Sequence, residues 1–244
     1  IIGILGCTAL ILTGFGIKDS VLKIIPAQFE SVFQYDMQIN LKESLEATQK
    51  EEFISKLGQK QEIQKAIQVY MTSATAKNGG NSEDVQIIVP EDKSTLDGMI
   101  NLRDINNKKQ KVELKENEIC ISDKLAQLLG VEEGDSVTIS DSEENEIQIK
   151  ISNVVENYVS HYIYMSKETY EAFYNEEFKT NVVLIQNIEL DEEQQNDLAS
   201  ELMTMAEVSG ITNIESTAKS IEDMMSLLNY VVVVLIVAAG LLAF

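Results

Sequence analysis

Residues able to do chemistry are few in this chain, and they stand far apart. The one histidine, His161, and the two cysteines, Cys7 and Cys120, have no partners at the short paired spacings by which zinc and similar ions are held. His161 lies in Tyr158-Val159-Ser160-His161-Tyr162, between two strand-like runs, where an imidazole serves as a hydrogen-bonding group of a turn. The acidic run Asp141-Ser142-Glu143-Glu144-Asn145-Glu146 has the composition of a calcium loop. It lacks the sixth-position glycine and the correctly spaced closing glutamate, so it reads as a solvated hairpin tip. Ser20 and Lys23 spell S-x-x-K without the companion motifs that give the pair a catalytic meaning. No nucleophile elbow and no Walker loop occurs, and Gly14-Phe15-Gly16 lacks the third glycine of a nucleotide-binding fingerprint. Carboxylates are plentiful, but no spacing singles out an acid–base pair. The expected catalytic, cofactor-binding and metal residues are therefore none, and the chain is not itself expected to be an enzyme.

The chain must then act through what its elements position. All 19 Lys and Arg and all 40 Asp and Glu fall between Lys18 and Asp223, so the formal charge of −21 belongs to the middle segment. That charge repels nucleic acid and anionic headgroups. The segment is long enough for one sizeable core or two small ones. Two charge-free runs bracket it, IIGILGCTALILTGFGI over residues 1–17 and a second over residues 224–244 ending NYVVVVLIVAAGLLAF. At about 1.5 Å per residue the first run is near the shortest helix that crosses a bilayer core. It has no basic stretch ahead of it and no small-x-small pattern after it, so it reads as an anchor, cut short at its start, and not as a cleaved signal. With Cys7 in that run and Cys120 far off, no disulfide is expected within the domain.

Between the runs the pattern is that of an α+β domain. Residues 18–33 carry apolar residues at helical spacing, with Pro26 as a candidate kink, and predict a stalk helix. The alternation from Tyr35 to Leu41 predicts a strand, and residues 44–57 a surface helix stopped at Gly58. A short helix over 62–66, a strand through Val69 and Met71, a turn at 78–82 and a strand over 84–89 follow. Strands are expected at 99–103, 111–114 and 118–121. After them come a Ser122-capped helix ending at Gly130, a turn needing positive φ at Gly134, and a hairpin of 136–140 with 147–155. A strand at 162–165, a helix over 166–174, a strand at 181–186, a helix over 191–208 and a strand at 210–214 complete the domain. Ser220 and Asp223 fit a capping box for a final helix.

Several of these stretches resemble the permeases of FtsX-like, MacB-type ABC transporters. ILGCTALILTGFGIKDSVLKI (4–24) resembles their first transmembrane segment running into a stalk. ICISDKLAQLLGVEEGDSVTI (119–139) resembles the "is-x-kla-x-x-lgv-x-x-GD-x-v-x-i" segment of their extracytoplasmic core domain. VENYVSHYIYM (155–165) is similar to a stretch of the large permeases of Gram-positive bacteria, and the last apolar run to their second transmembrane helix. The resemblance implies a mixed α+β extracytoplasmic domain with a small β-rich insert, carried on two helical stalks continuous with two transmembrane helices. It divides the chain into a transmembrane helix (1–17), a stalk (18–33), an α+β subdomain (34–98 with 181–215), a β-rich insert (99–180), a second stalk (216–226) and a second transmembrane helix (227–244).

It also implies a multi-pass cell-membrane protein, with about residues 18–226 outside the cell and membrane lipids around its helices. The implied partners are a cytoplasmic ABC ATPase subunit and a second permease of a dimer. The implied work is mechanotransmission, in export or extraction of a lipid, peptide or lipoprotein or in activation of an outside protein. The alternative is a two-helix extracytoplasmic sensor, the input domain of a kinase or chemoreceptor, which has the same layout.

Overall fold

Strand β2 (Ile63–Asn78), 16 residues long, is the spine of the domain. The computed structural model describes residues 23–107, 110–142, 145–175 and 177–242. These divide into two units, Val32–Ile214 and the segments on either side of it. In the larger unit β1 (Met37–Leu41) and helix α1 (Ala47–Gly58) precede β2, and β3 (Asn81–Pro90) returns along it. Then come β4 (Glu118–Ser122), α2 (Asp123–Leu129), β5 (Ser136–Ser140), β6 (Glu146–Val155) and β7 (Tyr162–Tyr164). Helix α3 (Lys167–Tyr174), β8 (Val182–Asn187), α4 (Glu192–Met203) and β9 (Val208–Asn213) complete the unit. The class is α+β, as the pattern predicts.

The nine strands form one sheet that is closed at one end and open at the other. From Val69 onward β2 pairs with β3, and near its end, at Thr75–Lys77, it pairs on the other side with β5. With β3–β7, β7–β4, β4–β6 and β6–β5 this makes a closed ring, a small barrel in which β3–β7 and β4–β6 run parallel. Its interior holds Ala74, Ala76, Val85, Ile87, Ile119, Ile121, Val137, Ile139, Ile149, Ile151 and Ile163, and α2 contributes Leu125 and Leu129. The first half of β2 leaves the barrel and pairs with β8, which continues through β1 to β9. On one face of this open sheet α1 and α4 lay Phe53, Leu57, Leu198 and Leu202 over Met37, Ile39, Val183 and Ile185. The barrel therefore takes in β2 and β3 as well as strands from residues 99–180.

Several local expectations meet the structure directly. Gly130 ends α2 in the left-handed region at φ 67°, and Gly134 turns at φ 94°. Others do not. Residues 63–66 are strand and 62 is in a turn, so no helix forms there: a bulge between Ile63 and Lys65 breaks the period of two and leaves Ile63, Ala66 and Ile67 at helix-like spacing. Residues 99–103 and 111–114 are a strap with isolated bridges Phe33–Ile100, Arg103–Lys111 and Asp104–Val155, and they form no strand. Helix α4 stops at Met203, so β9 begins at Val208. Ser122 does not cap α2 through its side chain; its Oγ accepts from Tyr162 N at 3.1 Å.

The other unit is described by itself. Residues 23–26 are α-helical and Ala27–Val32 is a π-helix. Helix α5 (Ile214–Leu242) runs 29 residues without interruption, so Ser220 starts no helix; its Oγ donates back to Ser216 O at 2.8 Å. The first charge-free run, the start of the first stalk, Cys7 and Ser20 lie outside the described residues. Among the described residues no helix is long and apolar enough to cross a membrane.

Candidate functional site

The two ends of the larger unit meet at Asp36. The inbound chain is first tied to the strap, by Asn101 N to Val32 O at 2.8 Å and Gln34 N to Met99 O at 2.9 Å. Asp36 then serves three segments at once. Its N–H donates to Ile185 O in β8 at 2.8 Å, its carbonyl accepts from Ile214 N at 2.9 Å, and its carboxylate accepts from Asn187 N at 2.6 Å. Ile214 is the first residue of α5, so one aspartate joins the segment by which the chain enters the domain to the residue by which it leaves. Next to it Met37 stands opposite both Asn213 and Ile185. A carboxylate accepting from a backbone N–H is among the stronger hydrogen bonds a protein makes, which suits a point that must hold.

Beside this clamp the inbound segment is also fastened to the barrel. Phe33 meets Tyr35 at 5.3 Å and stands edge-on to Tyr162 of β7 at 5.5 Å, and Tyr162 stacks on Tyr164 at 5.9 Å. Aromatic pairs at such separations favour fixed relative orientations beyond simple area burial. Burial, with the adjacent tyrosine as a lesser cause, pushes the hydroxyls of Tyr35 and Tyr164 far above the ordinary tyrosine range; burial alone raises Tyr162. These hydroxyls therefore stay protonated. The seam is a neutral packing joint.

A second joint lies where β8 leaves β2 and β5 has not yet arrived. There the Asn181 carboxamide stands in for a strand residue: its Oδ1 accepts from Met71 N and its Nδ2 donates to Met71 O, both at 2.8 Å. Its backbone bridges the neighbouring strands, N to Val69 O and O from Leu41 N. The fork in the sheet is thus closed by one side chain, and buried backbone groups of β2 keep their partners.

The residues with chemical potential do not converge. The thiol of Cys120 is buried, with Sγ 3.4 Å from Ser152 Oγ, and burial pushes its pKa up to about 11. His161 has Nε2 3.9 Å from Glu83, its Nδ1 is buried without a hydrogen-bond partner, and its backbone carbonyl accepts from Gln86 N. It borders an open polar cleft of about 530 Å³ on the β2–β3 surface. In the acidic turn Asp141 closes its own hairpin by accepting from Asn145 N and Asn145 Nδ2, both at 2.9 Å; Glu143 and Glu144 lie outside the described residues. Among the described residues no group of three or more His, Cys, Asp or Glu side chains could hold a metal ion. Asp36, Asn181 and the Phe33–Tyr164 seam were not singled out by sequence. Asp36 announces itself there only as a polar residue in a strand pattern, and the partners that give it meaning lie about 150 residues away.

No family model matches this chain, and no curated protein does. Among solved structures it is similar to the periplasmic region of MacB from Actinobacillus actinomycetemcomitans. That match has a TM-score of 0.45 and 13% identity, over 81% of this chain and 97% of that one. It is also similar to the extracellular domain of the noncanonic ABC-type transporter YknZ from Gram-positive bacteria, with a TM-score of 0.46 and 14% identity, over 73% of this chain and 99% of that one.

Proposed function

We propose that the chain is the extracytoplasmic domain of an ABC transporter permease of the FtsX-like, MacB type, with the helices that lead into and out of it. In this reading a cytoplasmic ATPase drives the helices of a permease dimer, and the domain converts their displacement into work on the outer side of the cell membrane. That work is export or extraction of a lipid, peptide or lipoprotein, or activation of an outside protein. The domain carries out no reaction of its own. Membrane anchorage rests on the two charge-free runs of the sequence.

One observation carries the reading. The Asp36 clamp holds the inbound segment and the first residue of α5 in hydrogen-bonding contact, so displacement of either end is delivered to the other and to β8 together. A flexible linker at either end would absorb displacement. Here the outgoing helix begins on the residue that follows β9.

The test uses the full-length permease with its ATPase partner in nanodiscs. Spin labels go on the exposed Glu189→Cys of each permease copy, with Cys7 replaced by serine. ATP with vanadate is expected to shift the label-to-label distance by several ångströms relative to the nucleotide-free complex. An unchanged distance distribution in a complex that hydrolyses ATP refutes the proposal.

A further inference from the structure

The helix leading to the clamp contains a π-helical stretch, Ala27–Val32, which starts directly after Pro26. π-helices are rare and arise mostly as single turns at functional positions. Both causes of this one are visible. Proline offers no N–H to its own turn and crowds the turn before it. On the other side the chain cannot adjust, because Val32 O accepts from Asn101 N and Phe33 bridges Ile100. A helix that carries a proline and ends on fixed bonds can take up the resulting strain by closing its rings one residue later. Such a stretch holds about one residue more than an α-helix over the same span.

We propose that Ala27–Val32 is a one-residue register element, through which the helix ahead of Pro26 advances relative to the clamped residues 32–36 without unfolding. Exchange between π and α bonding releases or takes up one residue, about 1.5 Å of rise and about 100° of rotation. The stretch stays helical in both forms, so it still bears load. The use of this step in transport rests on the permease reading; the existence of the spare residue does not.

The spare residue is tested by removing it. In a variant combining Pro26→Ala with deletion of Ala27, five α-helical residues replace the six of the π-helix. Ile25, which is 5% exposed, should then keep its buried face. With Cys7 replaced by serine and Cys120 buried as an unreactive background, Ile25→Cys is expected to react with a maleimide within twofold of its rate in the undeleted chain. A tenfold or greater rise overturns the proposal, because deletion from a helix with nothing to spare turns Ile25 out by about 100°.

The second readout is the ATP-dependent distance at Glu189→Cys in the full complex. The deletion is expected to lose at least half of the shift, and a full-sized shift would show that the register step takes no part in motion. If the undeleted complex shows no shift, the permease reading fails, while Ile25 protection still decides whether the stretch is a register element.

Discussion

Removing the carboxylate of Asp36 should loosen the root of the domain by an amount the structure allows one to work out. Asp36→Ala deletes the acceptor that Asn187 N reaches at 2.6 Å, and leaves the two backbone bonds of residue 36 in place. A hydrogen bond to a charged group contributes about 1.5–3 kcal/mol, and an N–H left buried without an acceptor falls in the same range. Asn187 has little means of compensating: it is 6% exposed, and both polar atoms of its own carboxamide are buried without partners. The expected cost is therefore about 2–3 kcal/mol. For a unit of this length that corresponds to a fall in Tm of roughly 4–12 °C. Near-ultraviolet circular dichroism of the full chain in detergent reads it, and Asp36→Asn, which keeps an acceptor oxygen and loses the charge, should fall between the two. A melting temperature for Asp36→Ala within 1 °C of the parent would mean the clamp carries no load, and the coupling argument built on it would go with it.

Other perturbations probe other parts of the fold. Asn181→Ala should cost about 1–3 kcal/mol by orphaning both backbone groups of Met71 at the fork, whereas Asn145→Ala at the exposed hairpin tip should stay within about 0.5 kcal/mol; urea unfolding compares them. Phe53→Ala, emptying a fully buried site beneath α1, should cost about 3–5 kcal/mol by the same measurement. Gly130→Ala, at φ 67°, should destabilise by about 1 kcal/mol, while Gly58→Ala, at the end of α1 with open space around its Cβ position, should be neutral or slightly stabilising.

Above about pH 9 stability should fall as the pH rises. The Cys120 thiol is pushed up to about 11 by burial, so the unfolded chain loses this proton first and folding weakens from about pH 9 toward 11. Tyr35 and Tyr164 extend the fall to higher pH, and Cys120→Ala should flatten its early part in urea titrations at a series of pH values.

How much of this could be read from the residues follows from which interactions are local. Helix ends set by a left-handed glycine, such as Gly130, are written into neighbouring positions and were legible. So were strands with clean alternation, such as β1 and β5. The bulge near Lys65 was not, because one extra residue converts a strand period into a helix-like one, and only the partner strand β8 reveals the slip. Residues 99–103 and 111–114 have strand composition, yet they form a strap held by isolated bridges, while β3 is paired with β7 and β7 with β4. Ser220 and Asp223 have the spacing of a cap, but a helix already under way from Ile214 needs none there. The clamp and the fork rest on side chains whose partners lie over a hundred residues away, a separation no local pattern encodes.

The closed barrel and the open sheet share one uninterrupted strand, and this bears on what the domain can transmit. Two lobes joined by loops would turn against each other, since connections with few crossing contacts are where domains hinge. Here β2 pairs with β8 through Val69 and with β3 from the same residue onward, so the two ladders overlap with no unpaired joint between them. The Asn181 carboxamide holds the next position on the other side, at Met71. Bending the lobes apart requires breaking backbone hydrogen bonds of β2, and the least protected place to do so is that side-chain bridge. In the proposed permease, a displacement delivered at Asp36 would reach β8 directly, pass from β8 to β2 through their ladder, and arrive in the barrel through the same strand. The aromatic seam from Phe33 to Tyr162 supplies a parallel connection. Amide exchange along β2 tests this. Residues 63–78 should open together with the global unfolding of the domain, and a faster-exchanging break near Met71–Ser73 in the parent chain would mean the lobes hinge there and do not move as one body.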